Sequence, residues 1–438
     1  MPAARLALSA VIVFFSLIIS APRSLVAADS GEYIAIRKQG SGRIALVLDR
    51  AQTDGRQEAG WAESINSVVH DGLDFTGFFT LIPPPLNVRQ NPAGKGQSVN
   101  FAALNSIGAE IYAGGKVAAT GANITFTAEV YEALGAKPIL RKSYTGTPGE
   151  IRSIAHQFCA DLVELLTGKK SLFGSKIVFV SNKSGFKEIY QCDFDGAGLE
   201  QLTSSKSITL TPVLSPDGRH LAYTDFSSGR PALYIRDLST KKTLTAAKSG
   251  VSIDPGWRNN SEVATTLSHD GDQNIYLLNT AGAVLRRLTN SKSIDLSPTF
   301  SPDGGKMAFV SSRNGMPQIF IQNMQSGEAK RLTFSGRYNT QPSWSPAGDK
   351  IAYTTWENKG EIDIFVVNAD GSALKQLTAK SGENEAPSWS PDGEMIVFSS
   401  TRHGRKKLYV MNASGENQRP LLHIDGDQMQ PSWSLFTK

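Results

Sequence analysis

In the second half of the chain, short apolar runs alternate with polar residues on a two-residue period, and the runs recur at a fixed spacing. Lys350-Ile351-Ala352-Tyr353-Thr354 is one such run, and Asp363-Ile364-Phe365-Val366-Val367 follows it after a polar loop. Alternation of this kind, rich in β-branched and aromatic residues, predicts strands. Each pair is preceded by a proline segment: Pro212-Val213-Leu214-Ser215, Pro255-Gly256-Trp257-Arg258, Pro298-Thr299-Phe300-Ser301, Pro342-Ser343-Trp344-Ser345, Pro387-Ser388-Trp389-Ser390 and Pro431-Ser432-Trp433-Ser434. The prolines are 43, 43, 44, 45 and 44 residues apart. That interval belongs to architectures whose repeating unit is one propeller blade.

Turn chemistry supports four strands per interval. Ser215-Pro216-Asp217-Gly218, Ser301-Pro302-Asp303-Gly304, Ser345-Pro346-Ala347-Gly348 and Ser390-Pro391-Asp392-Gly393 follow the proline segments. Pro presets φ, Ser or Asp bonds the local backbone, and Gly takes the left-handed conformation. A last short strand closes on Leu-Thr, at Leu202-Thr203, Leu244-Thr245, Leu288-Thr289, Leu332-Thr333 and Leu377-Thr378. The copy at Pro255 substitutes Arg258-Asn259-Asn260-Ser261 for the turn. Residues 175 to 203 hold three strands without a preceding proline segment, and Pro431-Ser432-Trp433-Ser434 is a first strand without a blade after it. Joining these ends predicts a six-bladed ring with no exposed sheet edge.

Residues 29 to 170 carry a different pattern. Trp61, Ile65, Val68, Val69 and Leu73 mark an amphipathic helix over 58 to 73, and Ile151, Ile154, Ala155, Phe158, Leu162, Leu165 and Leu166 mark another over 150 to 166. Thr147-Pro148-Gly149-Glu150 reads as a capping box and Gly168 as the stop. Strands are predicted at 44 to 48, 78 to 82, 111 to 117, 124 to 131 and 139 to 144. Two helices on a mixed sheet make a small α/β domain, so the expected organisation is 29–170 α/β and 171–438 six-bladed β-propeller, closed by the C-terminal strand.

Residues 1 to 28 read as a cleaved secretory signal: Arg5, an apolar stretch from Leu6 to Ser20, then Val26-Ala27-Ala28. An uncleaved anchor is the alternative. Removing them lowers the net charge from +5 to +3, because Arg5 and Arg23 leave and no acid does. So small a charge, with no basic-aromatic platform, speaks against nucleic acid. Cys159 and Cys192 are the only cysteines, read as two buried thiols with a disulfide as the alternative.

Signatures of chemistry are sparse. The six His are scattered, without His-Glu-x-x-His or Cys-x-x-Cys, and no Gly-x-Ser-x-Gly or phosphate-cradling loop occurs. Neither a metal nor a cofactor is expected. Asp193-Asp195, Asp270-Asp272 and Asp425-Asp427 lack calcium-loop spacing and read as turns. The basic cluster Arg402, Arg405, Lys406 and Lys407 reads as a solvated loop tip. The polar loops leading into the proline segments surround one mouth of the ring, which makes them a candidate binding face, with merely solvated strand entries as the alternative.

The leader, the two-helix domain and six repeats of Ser-Pro-Asp-Gly type together resemble the TolB family of the Tol-Pal system. Segments 62–82, 107–112 and 151–168 are similar to the family's first domain. The resemblance implies a non-enzymatic periplasmic scaffold that supports outer-membrane integrity and constriction at division. It implies that the propeller mouth binds the lipoprotein Pal and that the mature N-terminus engages TolA of the TolQRA inner-membrane complex. Asp254, Leu296 and Ser297 fall where the family's Pal contacts lie, although Asp254 and Ser297 differ from the residue types better known there. Thr211, Asp295, Tyr338, Thr340, Gln341, Glu385 and Gln430, from the same approach loops, complete the expected Pal site. Glu32, Tyr33, Ile34, Ala35 and Ile36 lie where the family keeps its TolA-binding strand; their apolar alternation suits pairing with a partner's edge and equally suits an ordinary first strand. The competing readings are an exported propeller enzyme, such as a glycan lyase or hydrolase, and a small-ligand sensor.

Overall fold

The computed structural model describes residues 42–53, 55–90, 98–169, 171–246, 251–269, 272–357 and 360–434. The expected leader and Glu32–Ile36 lie outside the described residues.

The first domain is built as β1 (Ile44–Leu48), β2 (Gln52–Thr53), α1 (Arg56–Thr76), β3 (Phe79–Ile82), a two-strand ladder of β4 (Arg89–Gln90) and β5 (Ser98–Val99), α2 (Phe101–Ser106), β6 (Ile111–Thr120), β7 (Asn123–Glu132), β8 (Lys137–Gly146) and α3 (Ile151–Thr167). The sheet runs β3-β1-β6-β7-β8, with β2 on β6. β1 is parallel to both neighbours while β6, β7 and β8 are antiparallel, so the sheet is mixed. α1 supplies the crossover that parallel pairing requires.

The two long helices form where the apolar spacing predicts them. α1 buries Ala62, Ile65, Val69 and Leu73, with Trp61 and Val68 only partly covered. α3 buries Ile154, Ala155, Phe158, Leu162, Val163 and Leu166. The capping box is present: the Thr147 backbone N–H and hydroxyl both donate to Glu150 Oε2, at 2.8 and 2.9 Å. Gly168 takes φ 67° and donates its N–H to the Glu164 carbonyl, ending the helix. α2 and the β4-β5 ladder have no counterpart in the sequence reading, because two-residue strands and a six-residue helix carry too few apolar positions to show a period.

The propeller has six four-stranded sheets. Blade 1 is β9 (Lys176–Ser181), β10 (Glu188–Asp193) and β11 (Glu200–Gln201), completed by the strand Gln428–Trp433. That strand pairs antiparallel with β9, in the register Gln428 to Ser181 and Trp433 to Ile177. The innermost strands of blades 2 to 6 are Thr209–Leu214, Val251–Trp257, Asp295–Phe300, Tyr338–Trp344 and Asn384–Trp389.

Repeat residues have recurrent jobs. In blades 1, 4, 5 and 3 respectively, Thr203, Thr333, Thr378 and Thr289 of the Leu-Thr pairs or their equivalents each accept a backbone N–H from the third strand, at 2.8 to 3.0 Å. The turn Ser bonds its Asp at 2.6 Å in Ser215–Asp217 and 2.5 Å in Ser301–Asp303. Where Ala347 replaces that Asp, Ser345 donates to Asp349 at 2.8 Å instead. Trp257 and Trp389 each donate an indole N–H to a carbonyl of the preceding blade, Val213 and Ser343, tying neighbours together around the ring.

One apolar cluster crosses between the domains, containing Leu73, Phe158 and Leu162 of the first and Ile177, Phe194, Val410 and Trp433 of the second. Both cysteines belong to it; their thiols are buried and free, and burial pushes both well above the usual range.

Candidate functional site

Each innermost strand is irregular at one place. The residue before the repeat proline has a positive φ in every blade: Thr211, Asp254, Ser297, Gln341, Ala386 and Gln430, all between 49° and 54°. The ladder slips at the same positions, for example between Leu210 and Val213 and between Leu296 and Thr299. A proline cannot donate to the ladder, so the strand bulges there. Left-handed backbone at a non-glycine residue costs about 1 to 2 kcal/mol. Strain of this kind, repeated six times around one axis, persists only where the surrounding structure holds it, and such strain gathers at functional sites.

The bulge decides which side chains reach the axis. The six residues with positive φ line a channel of about 840 Å³. It reaches from Tyr338, Trp356 and Glu385 at the mouth to Pro216, Pro302 and Pro346 of the far turns. Two residues earlier in each strand the side chain is turned away and fully buried: Thr209, Ser252, Asp295, Asn339, Asn384 and Gln428. These anchor the loops around the mouth. Thr209 donates to the Lys187 carbonyl at 2.7 Å, and Asn339 donates to Gln318 and the Ser335 carbonyl, both at 2.7 Å. Asp295 is part of this second ring, where its carboxylate meets Arg313 at 2.9 Å.

Of the ten expected Pal contacts, nine line the channel: Thr211, Asp254, Leu296, Ser297, Tyr338, Thr340, Gln341, Glu385 and Gln430. Asp295 does not, because strand alternation points it between blades. Ala386 and Trp356 are among the lining residues that the sequence list lacks. Ala386 holds the same place before its proline as the others, so the repeat alone was a sufficient signal. Trp356 reaches the mouth through its register with Tyr338 across the sheet, the rings 5.7 Å apart edge to face.

Neighbouring bulges are bonded in pairs. The Thr211 N–H donates to Gln430 Oε1 at 3.0 Å, the Ala386 N–H to Gln341 Oε1 at 3.0 Å, and the Ser297 hydroxyl to Asp254 Oδ2 at 2.8 Å. Charge on the lining is limited to two carboxylates, Asp254 and Glu385. Glu385 is paired with Lys406. Asp254 faces the Ser297 hydroxyl alone among the described residues; burial pushes its carboxyl upward and that hydrogen bond offsets only part of the shift. No His, Lys, Arg or Cys is among the lining residues. The arrangement offers hydrogen-bond acceptors, hydroxyls and aromatic faces, a set suited to gripping a ligand.

The remaining charged features serve as joints. Arg402 of the basic cluster stacks over Phe398 and Tyr409, at 5.2 and 4.4 Å to the ring centres, and Lys407 donates to the Ile424 and Gly426 carbonyls. Asp193 and Asp195 receive Arg152 of α3, with Nε to Asp193 at 2.9 Å and Nη2 to Asp195 at 2.6 Å. No described helix is long and apolar enough to cross a membrane.

Comparison with known proteins matches residues 163–437 to the TolB beta propeller domain and residues 32–139 to the TolB amino-terminal domain. The Protein TolB homolog of Chlorobium luteolum is 58% identical over 303 residues, 69% of either chain. The Tol-Pal system protein TolB of Desulfosudis oleivorans is 41% identical over 252 residues, 57% of either chain. The crystal structure of TolB from Acinetobacter baumannii has a TM-score of 0.78 at 24% identity, covering 90% of this chain and 97% of that one, a likeness of fold.

Proposed function

The chain belongs to the TolB family, and on that premise we propose that it is a non-enzymatic periplasmic scaffold of the Tol-Pal system, holding the lipoprotein Pal at its propeller mouth. In this role it supports outer-membrane integrity and constriction at division, and it makes and breaks no covalent bond. The observation that carries the reading is the ring of six strained residues before the prolines, which present side chains to an open channel. A channel continuing to the far turns suits an inserted protein segment better than a closed small-ligand pocket. Catalysis on a glycan would call for a convergent acid and base, whereas Glu385 is held by Lys406 and Asp254 has no second titratable group on the lining beside it. TolA engagement through Glu32, Tyr33, Ile34, Ala35 and Ile36 rests on the family and on their apolar alternation.

The test is calorimetric titration of the mature chain with Pal from the same host, beside a double variant Asp254→Arg, Ser297→Arg. Two guanidinium groups in the channel displace the Ser297–Asp254 bond and fill the lumen, so binding by the parent and a loss of at least about 100-fold in the variant are expected. No binding by the parent chain would overturn the reading.

A further inference from the structure

The mouth is not equivalent all the way round. Over blades 4 and 5, Ile294, Met316, Phe334 and Trp356 are exposed apolar side chains, Phe334 at 76% and Trp356 at 44%. They stand on loops that are tied to one another: Ile294 and Ser312 exchange backbone-side-chain and backbone bonds, Asn339 N–H donates to the Pro317 carbonyl, and Arg337 N–H donates to the Trp356 carbonyl. Arg331 lies over the Phe334 ring at 4.9 Å and Arg337 over Tyr338 at 5.5 Å, stiffening the aromatic groups from outside. Exposed apolar side chains gathered beside a cleft mark an interaction surface. Phe186 and Ile208, exposed on the other side of the ring, are absent from the channel lining, whereas Tyr338 and Trp356 belong to it. The shelf over blades 4 and 5 therefore continues into the channel.

Just inside, on blades 3 and 4, lie Asp254 and Ser297. Asp254 is the lining carboxylate without a cationic partner among the described residues, and no lining residue supplies a positive charge. A half-buried carboxylate that lines the channel with one hydroxyl for company is left with unused acceptor capacity.

Resting on the reading of the mouth as a Pal site, we infer that the docking segment inserts a basic side chain onto Asp254 while apolar neighbours of that side chain lie on the Phe334–Trp356 shelf. Charge complementarity selects the basic group, and continuity of shelf and channel selects one extended protein segment as the occupant of both. A fully desolvated charge pair beside a well-packed aromatic contact is the composition of an interface hot spot.

The experiment titrates host Pal into the mature chain and into Asp254→Asn, Phe334→Ser with Trp356→Ala, and Leu374→Ser, each first confirmed as folded by its melting transition. Leu374 is equally apolar and 47% exposed, but it sits in a turn of the opposite face. Expected are a loss of at least about 10-fold for Asp254→Asn with a flatter salt dependence, a similar loss for the shelf variant, and no change for Leu374→Ser. Parent-like affinity in both mouth variants, with Asp254→Arg, Ser297→Arg still abolishing binding, overturns this inference and leaves the Pal reading standing. A loss in Asp254→Asn with an unchanged salt dependence overturns the basic side chain. Absence of binding by the parent chain overturns both.

Discussion

His156 shows how a residue acquires meaning from its surroundings. It is buried on α3 against Phe173 and Phe194, ring centres 5.4 and 5.2 Å away, and its Nε2 has no hydrogen-bond partner among the described residues. Burial, and then the nearby Arg152 charge, push its pKa down to about 4; Asp195 and Asp193 pull the other way, and Lys176 adds to the lowering. The unfolded chain protonates this histidine near pH 6.5, so between pH 6.5 and 4 the unfolded state binds more protons and stability falls with pH. Relative to His156→Phe, the parent should lose about 2 kcal/mol between pH 7 and pH 5, read from urea unfolding at the two pH values. A constant difference would mean the imidazole is hydrated. Sequence placed His156 on a helix beside the apolar stripe, but not against a second domain, because its aromatic neighbours are 17 and 38 residues away along the chain.

At the scale of the element, the inner strands and the closing strand carry most of the consequence. The repeat made the bulges legible in position: a proline at the same place in all six copies interrupts each ladder. It did not reveal the positive φ, nor that Asp295 and its equivalents turn outward as loop anchors, since both depend on register between strands. The closing strand Gln428–Trp433 covers β9, and the Trp433 indole N–H donates to Ser175 Oγ at 2.9 Å from a nearly full burial. Ending the chain after Asp427 should therefore bare the β9 edge and remove one wall of the core. The expected result is loss of the cooperative transition in far-UV circular dichroism, with association at micromolar concentration. A sharp, monomeric transition would show that five and three-quarter blades suffice.

At the scale of the whole molecule, the two domains share a core. Phe194 packs edge to face on Phe75 at 5.3 Å and on Phe173 at 5.0 Å, while Arg152 bridges Asp193 and Asp195, and Arg419 donates to the Phe75 carbonyl at 2.9 Å. Lys176 joins the same carboxylate, Asp193: burial alone raises that carboxyl, and the bonds from Lys176 and Arg152 bring it below the usual range. Domains joined by an apolar cluster of this kind unfold together. A single calorimetric transition is expected for the parent chain. Arg152→Ala with Phe194→Ala, which together remove the fork and about 3 kcal/mol or more of packing, should resolve it into two. Two transitions in the parent would show that the interface contributes little.

Local order was determined by the sequence alone: the interval of 43 to 45 residues gives the blades, the complementary ends give their number, and the three-four spacing gives the long helices. Those signals are short-range, since strand alternation, turn chemistry and helix capping act over a few residues and repeat. The tertiary structure alone decided what stands opposite what. It set Asp254 against Ser297, turned Asp295 away from the channel, brought Trp356 to the rim and placed Phe194 under α3. Each of these follows from register and packing between segments distant in the chain, where the deciding free energy lies in burial and complementarity rather than in any local pattern.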